Sequence, residues 1–270
     1  MRTQRSSTRL ASTASVPPMS IPSSYDFVRN AVLLVVLWVA YSTVRTLTAG
    51  TEAVAVANAE LLLDFQRHIG LDIEDDVQRL IDGRGPLVVA NFYYLMHFPV
   101  TAIVLIAAYL RDRHGAFVVL RNALVAATAV ALVIHMALPL APPRLLPGFV
   151  DTGALYGPDP YRLPGSGSAN QFAAMPSMHV AWAILAGYSL WTFNLLRGVR
   201  ALAIIHPIAT VIVVLATGHH FVTDVVIGAA LPVAAIVVQT RQRQVAQPVR
   251  SSAPMLPHRS PGFERRPANR

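Results

Sequence analysis

What most constrains this chain is a set of six apolar runs, most of them near the twenty residues that cross about 30 Å of hydrocarbon as a helix. They cover Phe27 to Leu47, Leu87 to Leu110, Phe117 to Leu138, Met178 to Leu196, Ala201 to Ala216 and Phe221 to Thr240. The expected fold is all-α: a polytopic membrane protein built as a six-transmembrane-helix bundle. Of the 270 residues, 54% are hydrophobic and only 13% are charged, a balance that excludes an ordinary soluble domain.

Lysine and cysteine are both absent, so the positive charge is arginine alone and neither a disulfide nor a thiolate metal site can form. The net charge of +8 does not point to nucleic acid, because the arginines sit in short segments beside the apolar runs. Arg2, Arg5 and Arg9 precede the first run and Arg29 stands at its start, Arg111 and Arg113 follow the second, Arg197 and Arg200 the fourth, and Arg241, Arg243 and Arg250 the sixth. The positive-inside rule makes these the cytoplasmic ends. The connection between the first two runs is acidic, with Glu52, Glu60, Asp64, Asp72, Glu74, Asp75, Asp76 and Asp82, and falls outside. Both termini of this multi-pass cell-membrane protein are thus expected in the cytoplasm. Within that connection "VAVANA" (54 to 59) has the small residues of a signal-peptidase site, where cleavage would remove one span without reversing the others.

Residues 1–24 and 241–270 are rich in Ser, Arg and Pro, and are read as disordered cytoplasmic tails around a membrane catalytic domain over 25–240. Helical spacing predicts two short amphipathic helices, Ala53 to Phe65 and Ile73 to Ile81, with Asp72 and Asp75 marking the start of the second. They either lie in the outer interface or pack against the bundle. Pro139 to Pro176, with "LAPPRLLPGF" and "LPGSGSAN", has the turn chemistry of a loop.

Three polar clusters stand out: Pro142-Pro143-Arg144 after the third run, Pro176-Ser177-Met178-His179 at the mouth of the fourth, and "TGHHFVTD" (217 to 224) between the fifth and sixth. The topology, deduced without them, puts all three on the outer side. A helix opening offers unpaired N–H groups and the positive end of a dipole, which attract phosphate. Ser177 can cap that opening or donate to a phosphate oxygen, Pro176 suits the entry, and His179 falls within the first turn. His220 and Asp224 are four apart, so on a helix they share a face, where the carboxylate orients the imidazole. Arg144 offers a planar fork matched to phosphate oxygens. Each has a plain alternative: an interfacial histidine, a loop-anchoring arginine, an Asp224 that merely caps the sixth helix.

In order, "APPR", "AMPSMHVAW" and "TGHHFVTD" resemble the motifs of the type 2 phosphatidic acid phosphatase superfamily, and within it the inositolphosphorylceramide synthase-like branch. The likeness covers roughly Phe27 to Thr240. The second motif, Pro-Ser-Gly-His, is matched by Pro176, Ser177 and His179, with Met178 in place of glycine. The third is matched by His220 and Asp224 but lacks its Ser-Arg part, since Val214 stands where the arginine belongs. Thr217 and Gly218 are similar to the branch's Thr-Gly-Asn-His variant, with His219 in place of asparagine. The first motif keeps only Arg144.

The resemblance implies that His220 is the nucleophile, Asp224 its orienting partner and His179 the proton donor to the leaving alcohol, with Arg144 and Ser177 on the phosphate. A phosphohistidine forms at the extracytoplasmic face, on a lipid phosphate or pyrophosphate, and is resolved by water or by an alcohol such as inositol. Neither metal nor cofactor is expected. Groups replacing the missing cations are sought in His219, which either supplies charge or faces headgroups, and in Tyr94, His97 and His135, at the right depth to assist. His206 and Arg121 are placed in cytoplasmic halves, some tens of ångströms away by about 1.5 Å per residue. The alternative function is a non-catalytic lipid-phosphate carrier or scaffold that keeps the anion pocket.

Overall fold

The computed structural model describes residues 24–47, 52–112, 115–162, 171–193 and 197–246. The expected tails (1–23 and 247–270) and "LPGSGSAN" (163–170) lie outside these residues. The described chain is helical throughout, with no strand among the described residues. In chain order the helices are α1 (Ser24–Leu47), α2 (Glu52–His68), α3 (Glu74–Leu80), α4 (Arg84–Arg111), α5 (Ala116–Ala137), the short α6 (Thr152–Tyr156), α7 (Met178–Phe193), α8 (Arg197–Ala216) and α9 (Val222–Ala246). A 3-10 turn, Pro143–Leu145, lies between α5 and α6.

Six of these helices coincide with the six apolar runs. Three stretches among the described residues, Arg84–Arg111, Ala116–Ala137 and Val222–Gln244, are long and apolar enough to cross a membrane. Helix α7 has 16 residues, and the apolar part of α8, Arg200–Ala216, is also shorter. Helix α9 passes the expected domain end at 240 and reaches Ala246. Outward faces carry large apolar side chains such as Ile103 and Ile106 on α4, Val133 on α5, Ile204 and Ile208 on α8 and Val226 on α9. Water does not tolerate so continuous an apolar surface, and lipid does.

Helix α7 is the hub, touching α4, α5, α8 and α9. It is apolar on every side, as a surrounded helix must be, and Val180, Ala181, Ala183, Leu185 and Ala186 are all buried. Its small side chains let four neighbours approach a single axis. Outside this ring α1 leans on α5.

The two amphipathic helices form with slightly shifted ends and pack one face against the bundle, while Leu61 and Phe65 of α2 stay exposed. Ala55 and Ala59, inside the suspected cleavage segment, are buried in α2 against a cluster containing Leu140, Ala141 and Phe221. The cap of α3 is Ile73, with no side-chain hydrogen bond, and not Asp72. The first turn holds Glu74, Asp75 and Asp76, and Glu74 is buried rather than solvated. A lone parallel bridge, Leu140 to Ala173, ties the segment before Arg144 to the segment before Ser177.

Candidate active site

The site grows from three chain reversals. At the end of α8 the amide of Gly218 donates to Leu215 O and that of His219 to Val214 O, both at 3.0 Å, the paired bonds of a Schellman cap. Gly218 has φ +68°, and a Cβ there would come within 2.7 Å of Gln78 Nε2 and 3.1 Å of Arg144 Cβ, so glycine serves both backbone and space. Its carbonyl accepts the Arg144 amide at 2.8 Å. The "TGHH" stretch is thus a helix stop that turns two histidines back toward the bundle.

His220 is in extended chain, not on a helix as the four-residue spacing implied; α9 starts at Val222, which makes Asp224 its third residue. The Asp224 Oδ2 accepts the Phe221 amide at 2.9 Å, half of a capping box. The same oxygen lies 3.5 Å from His220 Nδ1, an electrostatic contact longer than a formed hydrogen bond. The capping and orienting readings of Asp224 therefore hold together. The next two amides of α9 are capped from outside: Val222 N donates to Glu74 Oε1 at 2.7 Å and Thr223 N to Gln66 Oε1 at 3.0 Å. Gln66 Nε2 donates to Glu74 Oε1 at 2.6 Å and closes the clamp.

The start of α7 is built differently. Ser177 precedes the helix as its cap, with Pro176 one residue earlier instead of inside it. The Ser177 amide donates to Asp224 O at 3.0 Å. Its hydroxyl lies 3.4 Å from Val180 N, a weak cap. The helix crossing is close because of Gly228, where a Cβ would collide with the Ser177 carbonyl and stand 3.0 Å from the Ser177 nitrogen.

His179, second in α7, meets His220 with ring centroids 5.9 Å apart and planes at 58°. Around this pair runs a column of rings. Tyr94 stacks on His179 at 4.0 Å and on His219 at 3.9 Å, and His219 stacks on Tyr161 at 6.1 Å. On the other side His97 lies 5.1 Å from His179 and stacks at 5.5 Å on His206, whose Nδ1 pairs with Tyr93 Oη at 2.6 Å. His206 sits at the midpoint of α8, one ring beyond His97. The tens of ångströms expected for it are wrong, because ten residues separate it from the helix end rather than a full span.

His219 neither faces headgroups nor supplies charge. Burial first, then the positive charge of Arg144 and the neighbouring His220, hold its imidazole well below the ordinary histidine range, so it is neutral. Its Nδ1 pairs with Thr217 Oγ1 at 2.8 Å. The column is complete without His135, which is buried in the last turn of α5.

Arg144 is buried and its fork is occupied: Nη1 meets Asp151 Oδ2 at 2.9 Å and Nη2 meets Gln171 Oε1 at 2.6 Å. Its guanidinium lies over the Tyr161 ring at 4.6 Å, and its Nε is buried without a partner among the described residues. Asp151, Tyr161, Gln171, Gln66 and Glu74 carry no motif and were not foreseen. Gln78 and Asn91 belong with them. Gln78 bonds both backbone groups of Val150, at 3.0 and 3.1 Å, and Asn91 bonds Thr152 O and Gly157 O, at 3.0 and 3.1 Å. The one available signal was a polar residue at a core position of an amphipathic pattern, which Gln66, Glu74 and Gln78 all provide. Among the described residues no three His, Cys, Asp or Glu are grouped to hold a metal ion.

A helical membrane protein with two imidazoles facing each other at paired helix starts is the class that fold and site define. The model of the PAP2 superfamily matches residues 60–238, a stretch that contains Arg144, Ser177, His179, His220 and Asp224. The chain belongs to this superfamily, which acts on lipid phosphates and is generally of phosphatase type. No curated protein and no solved structure matches it.

Proposed function

We propose that this protein is a lipid-phosphate phosphatase or phosphotransferase of six spans, working through a phosphohistidine at the extracytoplasmic face of the cell membrane, with both termini in the cytoplasm. The observation that carries the reading is the meeting of His179, His220 and Asp224 at two adjoining helix starts, only one of which is closed by side chains from α2 and α3. The start of α9 is capped by Glu74 and Gln66. The start of α7 has a weak serine cap and is the one suited to an anion.

His220 faces Asp224 through Nδ1, which leaves Nε2 for phosphorus. Attack forms the N–P bond and breaks the bond from phosphorus to the lipid oxygen, which takes its proton from His179. Water or an alcohol then gives its proton to His179 and attacks the phosphohistidine, returning His220. Arg144 and Ser177 hold the phosphate, with Arg144 turning from Asp151 toward it. Tyr94 and His97 fix the ring of His179. The "APPR" and "TGHH" variants favour the inositolphosphorylceramide synthase-like branch, with inositol as acceptor. The engaged fork of Arg144 favours the second reading, a carrier that binds lipid phosphate without turnover.

The test supplies the protein in detergent with phosphatidic acid or an isoprenoid pyrophosphate, with and without inositol, and follows phosphate and lipid products. Phosphate release lost in His220→Ala supports hydrolysis, and formation of inositol phosphate in place of free phosphate supports transfer. Turnover that survives both His220→Ala and His179→Ala would sink the mechanism, and binding without any turnover would leave the carrier. A tag near Ser166 labelled from outside intact cells checks the orientation.

A further inference from the structure

At the end of the bundle away from the histidines, three guanidiniums from three helices converge. Arg121 of α5 is half-buried and within electrostatic reach of Arg29 on α1 and Arg243 on α9, both of which repel it. It is not a swinging surface arginine. Its Nη1 donates to Asn30 at 2.9 Å, and its Nε and Nη2 donate to Asn122 at 3.1 and 2.9 Å. A guanidinium has five N–H donors, so a fixed fork with about two unspent donors remains. Arg243 is held by Gly115 O at 3.0 Å. Two acids lie on or beside these elements: Asp26 pairs with Arg29 at 3.3 Å and offsets its charge, and Asp112 accepts the Gly115 and Ala116 amides, both at 2.8 Å, at the start of α5. Positive charge thus exceeds negative around Arg121.

Beside the cluster, and joined to it through the Arg121–Asn122 bonds, is a crevice of about 470 Å³ between α5 and α9. Asn122 and Gln239 line its polar end, and Ala126, Val130, Leu231 and Ala235 line the rest. Arg121 adjoins Asn122 in sequence, and Arg243 is one turn past Gln239. The guanidinium of Arg121 is thus tied, through its bonds to Asn122, to the polar end of a slot whose other walls are apolar.

We infer that this crevice is a binding site for an anionic phospholipid of the bilayer, separate from the catalytic histidines and on the opposite face. The headgroup phosphate bridges Arg121 and Arg243, with Arg29 supplying further attraction, and one acyl chain lies along α5 and α9. Basic pockets between membrane helices hold acidic headgroups in this way. The lipid ties α1, α5 and α9 together where their arginines would otherwise repel one another. A zwitterionic lipid cancels its own phosphate charge and is held less well.

The full chain is reconstituted into vesicles of phosphatidylcholine mixed with phosphatidylglycerol, extracted in mild detergent, and its retained lipids are counted by native mass spectrometry. Selective retention of phosphatidylglycerol is expected, falling about 30-fold in the double variant Arg121→Gln, Arg243→Gln. A control pair on the same end, Arg111→Gln with Arg200→Gln, removes equal charge and should leave retention unchanged. Ala126→Leu, which fills the crevice without touching charge, should also reduce retention. Equal loss in both double variants, or equal retention of the two lipids by the unaltered chain, would overturn the site. Lipid counts are taken only from monodisperse protein, so misfolding does not mimic loss.

Discussion

The Ser177 amide donates to the carbonyl oxygen of Asp224 at 3.0 Å, which locks the start of α7 to the start of α9 across 47 residues of sequence. Through this bond the second and third motifs form one rigid object. His179 and His220 are held at their spacing by backbone, not by flexible side chains. The relation depends on the missing side chain at position 228.

Gly228→Ala should separate the two starts. The added methyl meets backbone atoms of Ser177, which cannot swing away. Overpacking of this kind costs about 1–3 kcal/mol. Displacement of reacting groups by about 1 Å costs on the order of a hundredfold in rate. The expected result is a fall in thermal unfolding temperature in detergent together with a larger fall in lipid-phosphate turnover; unchanged turnover would show that the crossing does not set the geometry.

Asp224→Asn should separate folding from chemistry. An amide oxygen still accepts the Phe221 amide, so the helix cap survives. The charge facing His220 Nδ1 is gone, and the amide can present an N–H donor there instead. The same change in a Ser-His-Asp triad costs about 10⁴-fold, and a loss on the order of 10³-fold or more is expected here with unfolding shifted by less than about 1 kcal/mol. Parallel phosphate-release and unfolding measurements check it.

Glu74 offers a paired test. Glu74→Gln keeps a carbonyl oxygen for the Val222 amide and Gln66 Nε2, and should keep most stability. Glu74→Leu leaves both donors without a partner, costing about 2–6 kcal/mol at about 1–3 for each orphaned group. If the two variants unfold alike, the clamp on α9 is not an energetic feature of the fold.

His219 makes a pH prediction. Its folded-state pKa is depressed below the ordinary 6.5, chiefly by burial. Below that value the unfolded chain takes up a proton that the folded chain refuses. Its share of stability is full above 6.5 and is lost as pH falls, by up to about 1.4 kcal/mol per pH unit. His219→Asn removes this share, so the unfolding temperature of the variant should depend less steeply on pH between about 5 and 6.5. Equal slopes for the two proteins would contradict a neutral, buried His219.

Much of this was legible in the sequence because it rests on local rules. Apolar runs near twenty residues gave the helices, and the Ser177 cap and the acid four residues after His220 gave the two motif sites, while the Thr-Gly helix stop emerged only from the structure. Their meeting followed from the order of the runs. Gln66, Glu74 and Asp151 stayed hidden because each acts on a partner distant in sequence or through a loop without periodicity: Glu74 reaches Val222 across 148 positions. The depth of His206 was misjudged for a simpler reason. Position along a helix was read as distance from the site, while sideways packing of α4 and α8 on α7 brought the rings together.

The central position of α7 divides the molecule into a tightly packed machine and an adjustable port. The first three turns of α7, packed among four helices, can change few residues without disturbing those neighbours, so they offer little route for tuning selectivity. The connection from α5 to α7 instead bears Arg144, Asp151, Tyr161 and Gln171, and is anchored by backbone bonds at Leu140, Ala141 and Arg144 together with side-chain bonds. Exchanging that connection between relatives, with Arg144 and Tyr161 kept, should transplant preference for a headgroup while leaving His179 and His220 in place, which makes it the natural cassette for engineering.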